Sequence, residues 1–249
     1  MIICVAWRRN FIRITSLHVL TPKLPRRYTM KLLILNGSPR AIGSNSTLLM
    51  QHFCEGAKFA VPAFDFEMCY LSKHTHFDEY LEKYDKAENV LWIFPLYVHA
   101  MPSIVKDFME ILYTAKPQNK PPHAFIVQSG FTEAAQSRFL EPYLTRFPGK
   151  LGCKSNGLLI KGGIEGIQIM PKFATKSLFR NFNNLGQIYA KNDKLDEKLC
   201  AKLRKPEHLN SRILLIMRIM AFLKMNNFYW NIQLKKNNAF HLRDSQPYL

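Results

Sequence analysis

The sequence has few cysteines, few acidic residues and no long uninterrupted apolar run. Its five cysteines are scattered and form no CxxC or CxxxC pair, which argues against a disulfide framework or a cysteine metal site and favours a reducing, cytoplasmic compartment. We expect no bound metal. Residues 213–223, an apolar stretch near the C terminus, are too few to span a bilayer and include Arg218, so we predict no transmembrane segment.

Acidic residues number 18 against 35 Lys and Arg, which gives a formal net charge of +17. A basic surface can attract nucleic acid, anionic lipid or phosphorylated cofactors. The chain lacks the interleaved aromatic and basic residues of nucleic-acid modules. We therefore predict a solvated basic face and no nucleic-acid partner.

The first 29 residues differ from the rest because they carry six Lys and Arg and no acidic residue. A transit peptide is one interpretation of such a segment. The interpretation that we favour is an upstream extension of the reading frame, with Met30 as the natural start. In either case we expect residues 1–29 to lie outside the fold.

Short apolar segments alternate with helical patterns over residues 30–186. The predicted strands are residues 32–35, 64–71, 89–94, 124–128 and 157–160. The predicted helices between them are residues 45–57, 77–84, 103–113 and 134–147. Parallel strands need helical crossovers, so this order predicts an α/β fold with one doubly wound parallel sheet. Beyond Pro171 the pattern is helical.

The first loop, NGSPRAIGSNST at residues 36–47, joins a strand to a helix. Unpaired N–H groups and the positive end of a helix dipole make such a junction an anion site. The loop matches neither GxGxxG nor GxxxxGK[ST], because no lysine follows Gly43. Its hydroxyls, amide and single guanidinium suit a monophosphate. The alternative is an ordinary turn in which Ser44 or Asn45 caps the helix.

Further loops follow the third, fourth and fifth strands, with the sequences PLYVHAMPS, SGF and GGIEG. Because the carboxyl ends of parallel strands share one sheet edge, we expect all these loops to lie at the same edge.

Four motifs in this order resemble the flavodoxin-like family of NAD(P)H-dependent FMN oxidoreductases. They are LNGSPR with GSNS, FPLYVHAMPSIVKDFM, QSG, and GGIEGIQIMP. The resemblance covers residues 30–186. It implies a flavodoxin-like, doubly wound, five-stranded parallel sheet that binds FMN, followed by a helical C-terminal extension at residues 187–249. It also implies a possible homodimer.

The resemblance assigns roles to matching residues. Those that would hold the FMN phosphate are Ser38, Arg40, Ser44, Asn45 and Ser46. Those that would line the isoalloxazine ring, with backbone N–H groups toward its polar edge, are Pro95, Leu96, Tyr97 and Val98, while Ser129, Gly130 and Phe131 would close the other side.

Two further side chains have open roles. His99 is a candidate catalytic residue that would donate to the reduced flavin or to an acceptor, with a structural role as the alternative. Glu165 is expected to shape the nicotinamide or substrate entrance.

Some relatives carry a CxxCxxC cluster segment after the second strand. Only Cys69 is present here, so we predict no iron–sulfur cluster.

The expected function is FMN-dependent NAD(P)H oxidoreductase. NADH or NADPH would deliver hydride to FMN, and a small acceptor (a quinone, a nitroaromatic or free flavin) would take the electrons. Because the cofactor supplies the chemistry, no catalytic acid, base or nucleophile is required. The alternatives are a flavodoxin-type electron carrier or non-catalytic FMN-binding protein, which the basic charge disfavours, and a protein that binds surfaces through its basic C-terminal helices.

Overall fold

The computed structural model describes residues 31–222 and 227–245. The predicted extension at residues 1–29 lies outside the described residues. The strands are β1 Lys31–Asn36, β2 Asp65–Tyr70, β3 Asn89–Pro95, β4 His123–Gln128 and β5 Ser155–Lys161. The helices are α1 Asn45–Ala60, α2 Phe77–Lys86, α3 Ser103–Ala115, α4 Glu141–Lys150, α5 Lys172–Asn192, α6 Glu197–Arg204, α7 Ser211–Phe222 and α8 Phe228–Lys236.

The five strands form one sheet in the order β2-β1-β3-β4-β5, and every pairing is parallel. Every residue of β3 and β4 is buried, as expected for strands that are covered by helices on both faces. This architecture confirms the predicted flavodoxin-like fold class, and helices follow the sheet as expected.

Each sheet face has its own hydrophobic layer. Side chains such as Trp92 pack with α2, α3 and α4 on one face. Alternate residues such as Ile93 pack with α1, α5 and α6 on the other. Alternation of this kind follows from the two-residue period of a strand. The sheet is therefore the middle of three layers.

The predicted domain boundary between residues 186 and 187 falls inside α5. Helix α5 continues to Asn192 along α1, and Tyr189 is buried in the shared layer. A Cβ atom at Gly186 would lie 1.8 Å from the carbonyl oxygen of Phe53, so glycine is required for this close helix contact. The packed unit thus includes all of α5, together with α6.

The helix predicted at residues 134–147 is divided in the structure. A 3-10 segment, Ala135–Leu140, precedes α4. Pro142 lies in the first turn of α4, where its missing N–H costs no helical hydrogen bond. The proline therefore marks the start of the α-helix, which the apolar spacing alone did not locate.

A buried polar cluster lies at the start of β4. Nδ1 of His123 accepts a hydrogen bond from Nε1 of Trp92 at 3.2 Å, so the ring proton is on Nε2. That nitrogen donates to the Tyr84 hydroxyl at 2.8 Å, and the hydroxyl lies 3.5 Å from Sγ of Cys153. Burial lowers the pKa of His123 to about 3. The cluster is therefore neutral and fully hydrogen-bonded.

The C-terminal helices present a different surface. Most apolar side chains of α7 are exposed, including Leu215, Ile216 and Phe222. Within residues 31–222 and 227–245, no helix has both the length and the apolar character needed to cross a membrane.

Candidate active site

The loops that follow β1, β3, β4 and β5 lie at one edge of the sheet, because all five strands run parallel. We name them the β1 loop (residues 37–44), the β3 loop (96–102), the β4 loop (129–134) and the β5 loop (162–171). Chain order reverses between β1 and β3, and ligands of open α/β sheets bind at this switch point. The predicted site residues are therefore brought to one edge.

Hydrogen bonds within the chain hold the β1 loop in shape. The Ser44 hydroxyl caps α1 by accepting a hydrogen bond from Thr47 N at 3.1 Å. The Thr47 hydroxyl donates to Ala41 O at 2.9 Å and accepts from Nδ2 of Asn36 at 2.9 Å. Oδ1 of Asn36 accepts from Ser38 N at 3.0 Å. Ser44 is thus the cap that the sequence allowed, and Asn36 and Thr47 were missed as loop-shaping residues.

The first turn of α1 retains unused donors. The earliest helical hydrogen bond of the α1 backbone runs from Leu48 N to Ser44 O, so the N–H groups of Asn45 and Ser46 have no partner inside the helix. The Ser46 hydroxyl is buried, and no hydrogen-bond partner for it occurs in the described ranges. Two amides, one hydroxyl and a helix dipole are a donor set that fits a phosphate group.

The β5 loop covers the β1 loop and uses the Asn45 side chain to do so. Nδ2 of Asn45 donates to Ile164 O at 2.9 Å, and its Oδ1 accepts from Nε2 of Gln168 at 2.9 Å. The same Gln168 nitrogen donates to Gly43 O at 3.0 Å. The predicted ligand Asn45 therefore has its side chain engaged in joining two loops. Gln168 lies 123 residues away in sequence, and no local signal points to it.

Arg40 is the cation of the β1 loop. Its guanidinium lies 3.8 Å from a carboxylate oxygen of Glu165, and both side chains are about half exposed. The ion pair is weak at this exposure, so the Arg40 guanidinium remains able to bind an anion. Glu165, expected at the entrance of the site, lies beside the predicted phosphate cation.

The β3 loop is a tight hairpin. Leu96 N donates to Gln128 O at 2.7 Å, and Tyr97 and Ala100 exchange backbone hydrogen bonds of 2.9 Å. The two residues between them, Val98 and His99, have φ values of +46° and +62°. A positive φ is costly for a β-branched residue such as valine, and such strain is concentrated at functional sites.

Hydrogen bonding in the β3 loop reduces the number of backbone N–H groups that are available to the ring. Pro95 has no N–H group, and the N–H groups of Leu96 and Tyr97 are used by the sheet and the hairpin. Those of Val98 and His99 lie at the tip, outside the backbone hydrogen bonds of the described chain. The tip therefore offers two adjacent amide donors.

The β4 loop is held between its neighbours. Ile164 N donates to Ser129 O at 2.9 Å, and Gly163 N donates to Phe131 O at 2.6 Å. The rings of His99 and Phe131 are nearly parallel with centroids 6.0 Å apart, and Nδ1 of His99 lies 3.4 Å from Gln136 O. The candidate catalytic histidine thus also joins the β3 loop to the β4 loop.

A second buried hydroxyl at this edge belongs to Ser129. Like that of Ser46, it has no hydrogen-bond partner among the described residues. Leaving a buried polar group unpaired costs about 1–3 kcal/mol. Both sites, one at the start of α1 and one in the β4 loop, are therefore suited to a polar ligand.

The sheet order and the loops at its switch point define a flavodoxin-like domain, with a group of hydrogen-bond donors at the start of α1 that suits a phosphate. Residues 30–139 match the family model described as NADPH-dependent FMN reductase. The match agrees with the resemblance found in the first three motifs, and it contains the β1, β3 and β4 loops. The β5 loop lies beyond it. No curated protein matches the chain.

Solved structures share this fold. An FMN-dependent NADH-azoreductase from Bacillus anthracis in complex with FMN has a TM-score of 0.51 and 16% identity, covering 65% of this chain and 99% of that one. Trp repressor binding protein from Bacillus subtilis has a TM-score of 0.50 and 18% identity, covering 62% and 99%. A putative quinone reductase from Klebsiella pneumoniae has a TM-score of 0.50 and 14% identity, covering 74% and 98%. At these identities the likeness establishes the fold.

Proposed function

We propose that the protein is an FMN-dependent oxidoreductase that takes hydride from NADH or NADPH and passes electrons to a small acceptor such as a quinone, a nitroaromatic or free flavin. The observation that carries the proposal is the unpartnered Ser46 hydroxyl at the start of α1, in a region that matches the FMN reductase family model. A buried hydroxyl beside free helix amides is suited to a phosphate oxygen.

In the proposed mechanism the β1 loop binds the phosphate. The N–H groups of Asn45 and Ser46 and the Ser46 hydroxyl donate to its oxygens, and Arg40 supplies the positive charge. Of the other predicted ligands, Ser38 belongs to the same loop, and Ser44 acts by holding the helix start in place. This division makes Ser46 the strongest candidate ligand.

The β3 and β4 loops position the ring. FMN supplies the hydride chemistry when it is bound. The amides of Val98 and His99 donate toward the polar edge of the ring, and residues 129–131 close its other side. Nδ1 of His99 donates to Gln136 O, which leaves Nε2 to exchange a proton with an acceptor. The loops thus provide orientation and hydrogen bonds, and no side chain needs to act as a nucleophile.

The proposal includes a cytoplasmic location and a homodimer. Four cysteines of the described ranges are free and buried, and burial raises the pKa of the Cys54, Cys69 and Cys200 thiols to about 12. Such thiols stay protonated and unreactive. The support for a reducing compartment is that the described cysteines form no disulfide. The homodimer rests on the family resemblance, and light scattering of the purified protein tests it.

An anaerobic titration tests the function. Purified protein loaded with FMN is titrated with NADH and with NADPH, and bleaching of the visible flavin bands is expected with at least one of them. Acceptors are then compared by steady-state NAD(P)H oxidation. Protein that binds no FMN would contradict the proposal. A flavodoxin-type carrier would bind FMN but would oxidise almost no NAD(P)H without a separate reductase.

A further inference from the structure

Helix α7 carries exposed apolar side chains around its whole circumference. Leu214, Leu215, Ile216 and Met217 are each 42–58% exposed, and four consecutive residues complete one helical turn. Ile219 and Phe222 are exposed as well. No part of the described chain therefore covers any side of this helix fully, which is unusual for so apolar a segment.

The segment around α7 also lacks negative charge. Residues 208–243 contain six Lys and Arg and no Asp or Glu. Among the described cations, Arg218 lies on α7, and Lys236 ends α8, and both are exposed. Trp230 of α8 is 64% exposed, and exposed tryptophan is typical of the interface between a bilayer and water. The combination of apolar surface and positive charge matches an anionic lipid surface.

We propose that α7, together with the exposed cations Arg218, Lys235 and Lys236, docks the protein on the surface of a bilayer that contains anionic phospholipid. The 12 residues of α7 extend about 18 Å, less than the roughly 30 Å hydrocarbon core. The helix therefore lies along the boundary between headgroups and acyl chains and does not cross the bilayer. Long basic side chains such as Arg218 reach the phosphates while their aliphatic stems stay with the apolar surface.

A second copy of the chain fits this surface less well. A helix that packs on another protein buries one stripe of side chains, and α7 would still expose apolar residues on its remaining sides. Two copies would also bring together segments that are both positively charged. A lipid surface eases both difficulties, since a helix buried about 5–10 Å at the boundary between headgroups and acyl chains contacts lipid over more than one stripe, and the headgroups neutralise the cations.

The segment that leads into α7 is bound beside the candidate site. Arg138 donates to both carboxylate oxygens of Glu207 at 2.7 and 2.8 Å, and Leu209 N donates to Glu133 at 3.0 Å. Residues 133–138 begin two positions after Phe131, at the end of the β4 loop. Docking through α7 would thus bring the flavin edge to the lipid surface and favour a lipid-soluble acceptor. This last consequence rests on the proposed function.

Vesicle sedimentation tests the docking without any flavin chemistry. The full chain is mixed with vesicles of phosphatidylcholine, with or without phosphatidylglycerol. We expect sedimentation only with the anionic vesicles, and its loss in the double variant Leu215→Glu/Ile219→Glu. The control Phe59→Glu/Phe173→Glu adds the same charge at apolar residues of α1 and α5 that are even more exposed, and it should sediment like the unmodified protein.

A charge variant probes the second part of the surface. Arg218→Gln/Lys236→Gln should weaken vesicle binding by about 30-fold, because each cation near an anionic surface contributes about 1 kcal/mol. Lys116→Gln/Lys150→Gln, which removes two exposed cations elsewhere, should have little effect. Vesicle binding that survives the α7 variant overturns the proposal, as does an absence of binding. A dimer that the α7 variant dissociates overturns it too, because it assigns this surface to a second copy.

Failure of the vesicle test and failure of the proposed function are distinguishable. A protein that bleaches with NAD(P)H but ignores anionic vesicles would retain the function and lose only the docking surface. A protein that sediments with anionic vesicles but binds no FMN would retain the docking surface and contradict the proposed function.

Discussion

At the start of β4 the buried imidazole of His123 is hydrogen-bonded at both ring nitrogens, whereas just after the end of the same strand the buried Ser129 hydroxyl has no partner in the described chain. The Ser46 hydroxyl at that second edge is also unpartnered. A satisfied buried network stabilises a fold, and an unsatisfied group costs stability until something binds to it. We therefore expect the His123 cluster at the amino edge of the sheet to stabilise the fold, and the two serine hydroxyls at the carboxyl edge to serve the proposed binding.

The largest expected effect is on stability and concerns the amino edge. His123→Phe keeps an aromatic ring but leaves Trp92 Nε1–H without an acceptor and the Tyr84 hydroxyl without its donor. We expect unfolding to require about 3 kcal/mol less free energy, measured by urea denaturation at neutral pH. Ser129→Ala, next to the other end of β4, is the control and should leave stability unchanged or slightly raised, because it removes a buried hydroxyl without a partner in the described chain. Equal losses in the two variants would remove the contrast between the edges.

The same histidine predicts a pH dependence. Its pKa is lowered to about 3 in the folded protein, against about 6.5 in an unfolded chain. Between these values the unfolded state binds a proton that the folded state does not, so stability falls as pH falls below about 6.5.

Each pH unit below 6.5 lowers the free energy of unfolding by about 1.4 kcal/mol, so the loss due to His123 is about 2 kcal/mol at pH 5. Urea denaturation at pH 7 and pH 5 measures it as a difference between the unmodified protein and His123→Phe. Lowered carboxyl pKa values, such as that of Glu207 beside Arg138, contribute equally to both proteins and cancel. Parallel pH profiles would show that the imidazole accepts a proton while buried.

The sequence predicts those features of the fold and the site that depend on residues close together in the chain. Strand runs such as residues 89–94 and the small-residue loops are local, so the sheet and the edge that binds ligand follow from them. The Asn45–Gln168 and Tyr84–His123 contacts join residues far apart in the chain. The sequence pattern does not separate Ser44 from Ser46 either. The hydrogen bond from Thr47 N to the Ser44 hydroxyl identifies Ser44 as the cap, which leaves Ser46 as the candidate ligand.

The next effect is on affinity and concerns the carboxyl edge. Ser46→Ala should weaken FMN binding by about 10- to 30-fold, the value of one hydrogen bond to a charged group. The flavin-free protein should be unchanged or slightly more stable, because an unsatisfied buried hydroxyl is removed. Fluorescence titration with FMN and with riboflavin measures this, and only FMN binding should weaken.

Ser137→Ala is the control for Ser46→Ala. It removes another buried hydroxyl without a partner in the described residues, but one in the 3-10 segment Ala135–Leu140. The ratio of FMN to riboflavin affinity should not change. A Ser46→Ala protein with normal FMN affinity would mean that the start of α1 does not bind the phosphate.

The smallest effect concerns the carboxylate beside the phosphate cation. Glu165 lies 3.8 Å from Arg40, so it both holds the guanidinium and places a negative charge next to the predicted phosphate. Since exposed ion pairs are worth about 0.2–1 kcal/mol, Glu165→Gln should raise FMN affinity about two- to fivefold and leave riboflavin affinity unchanged. Glu55→Gln, an exposed carboxylate on α1, serves as the matched control. Because charge alone is responsible, the gain should shrink as added salt screens it; a gain that persists in high salt, or extends to riboflavin, would mean that Glu165 acts by shaping the pocket.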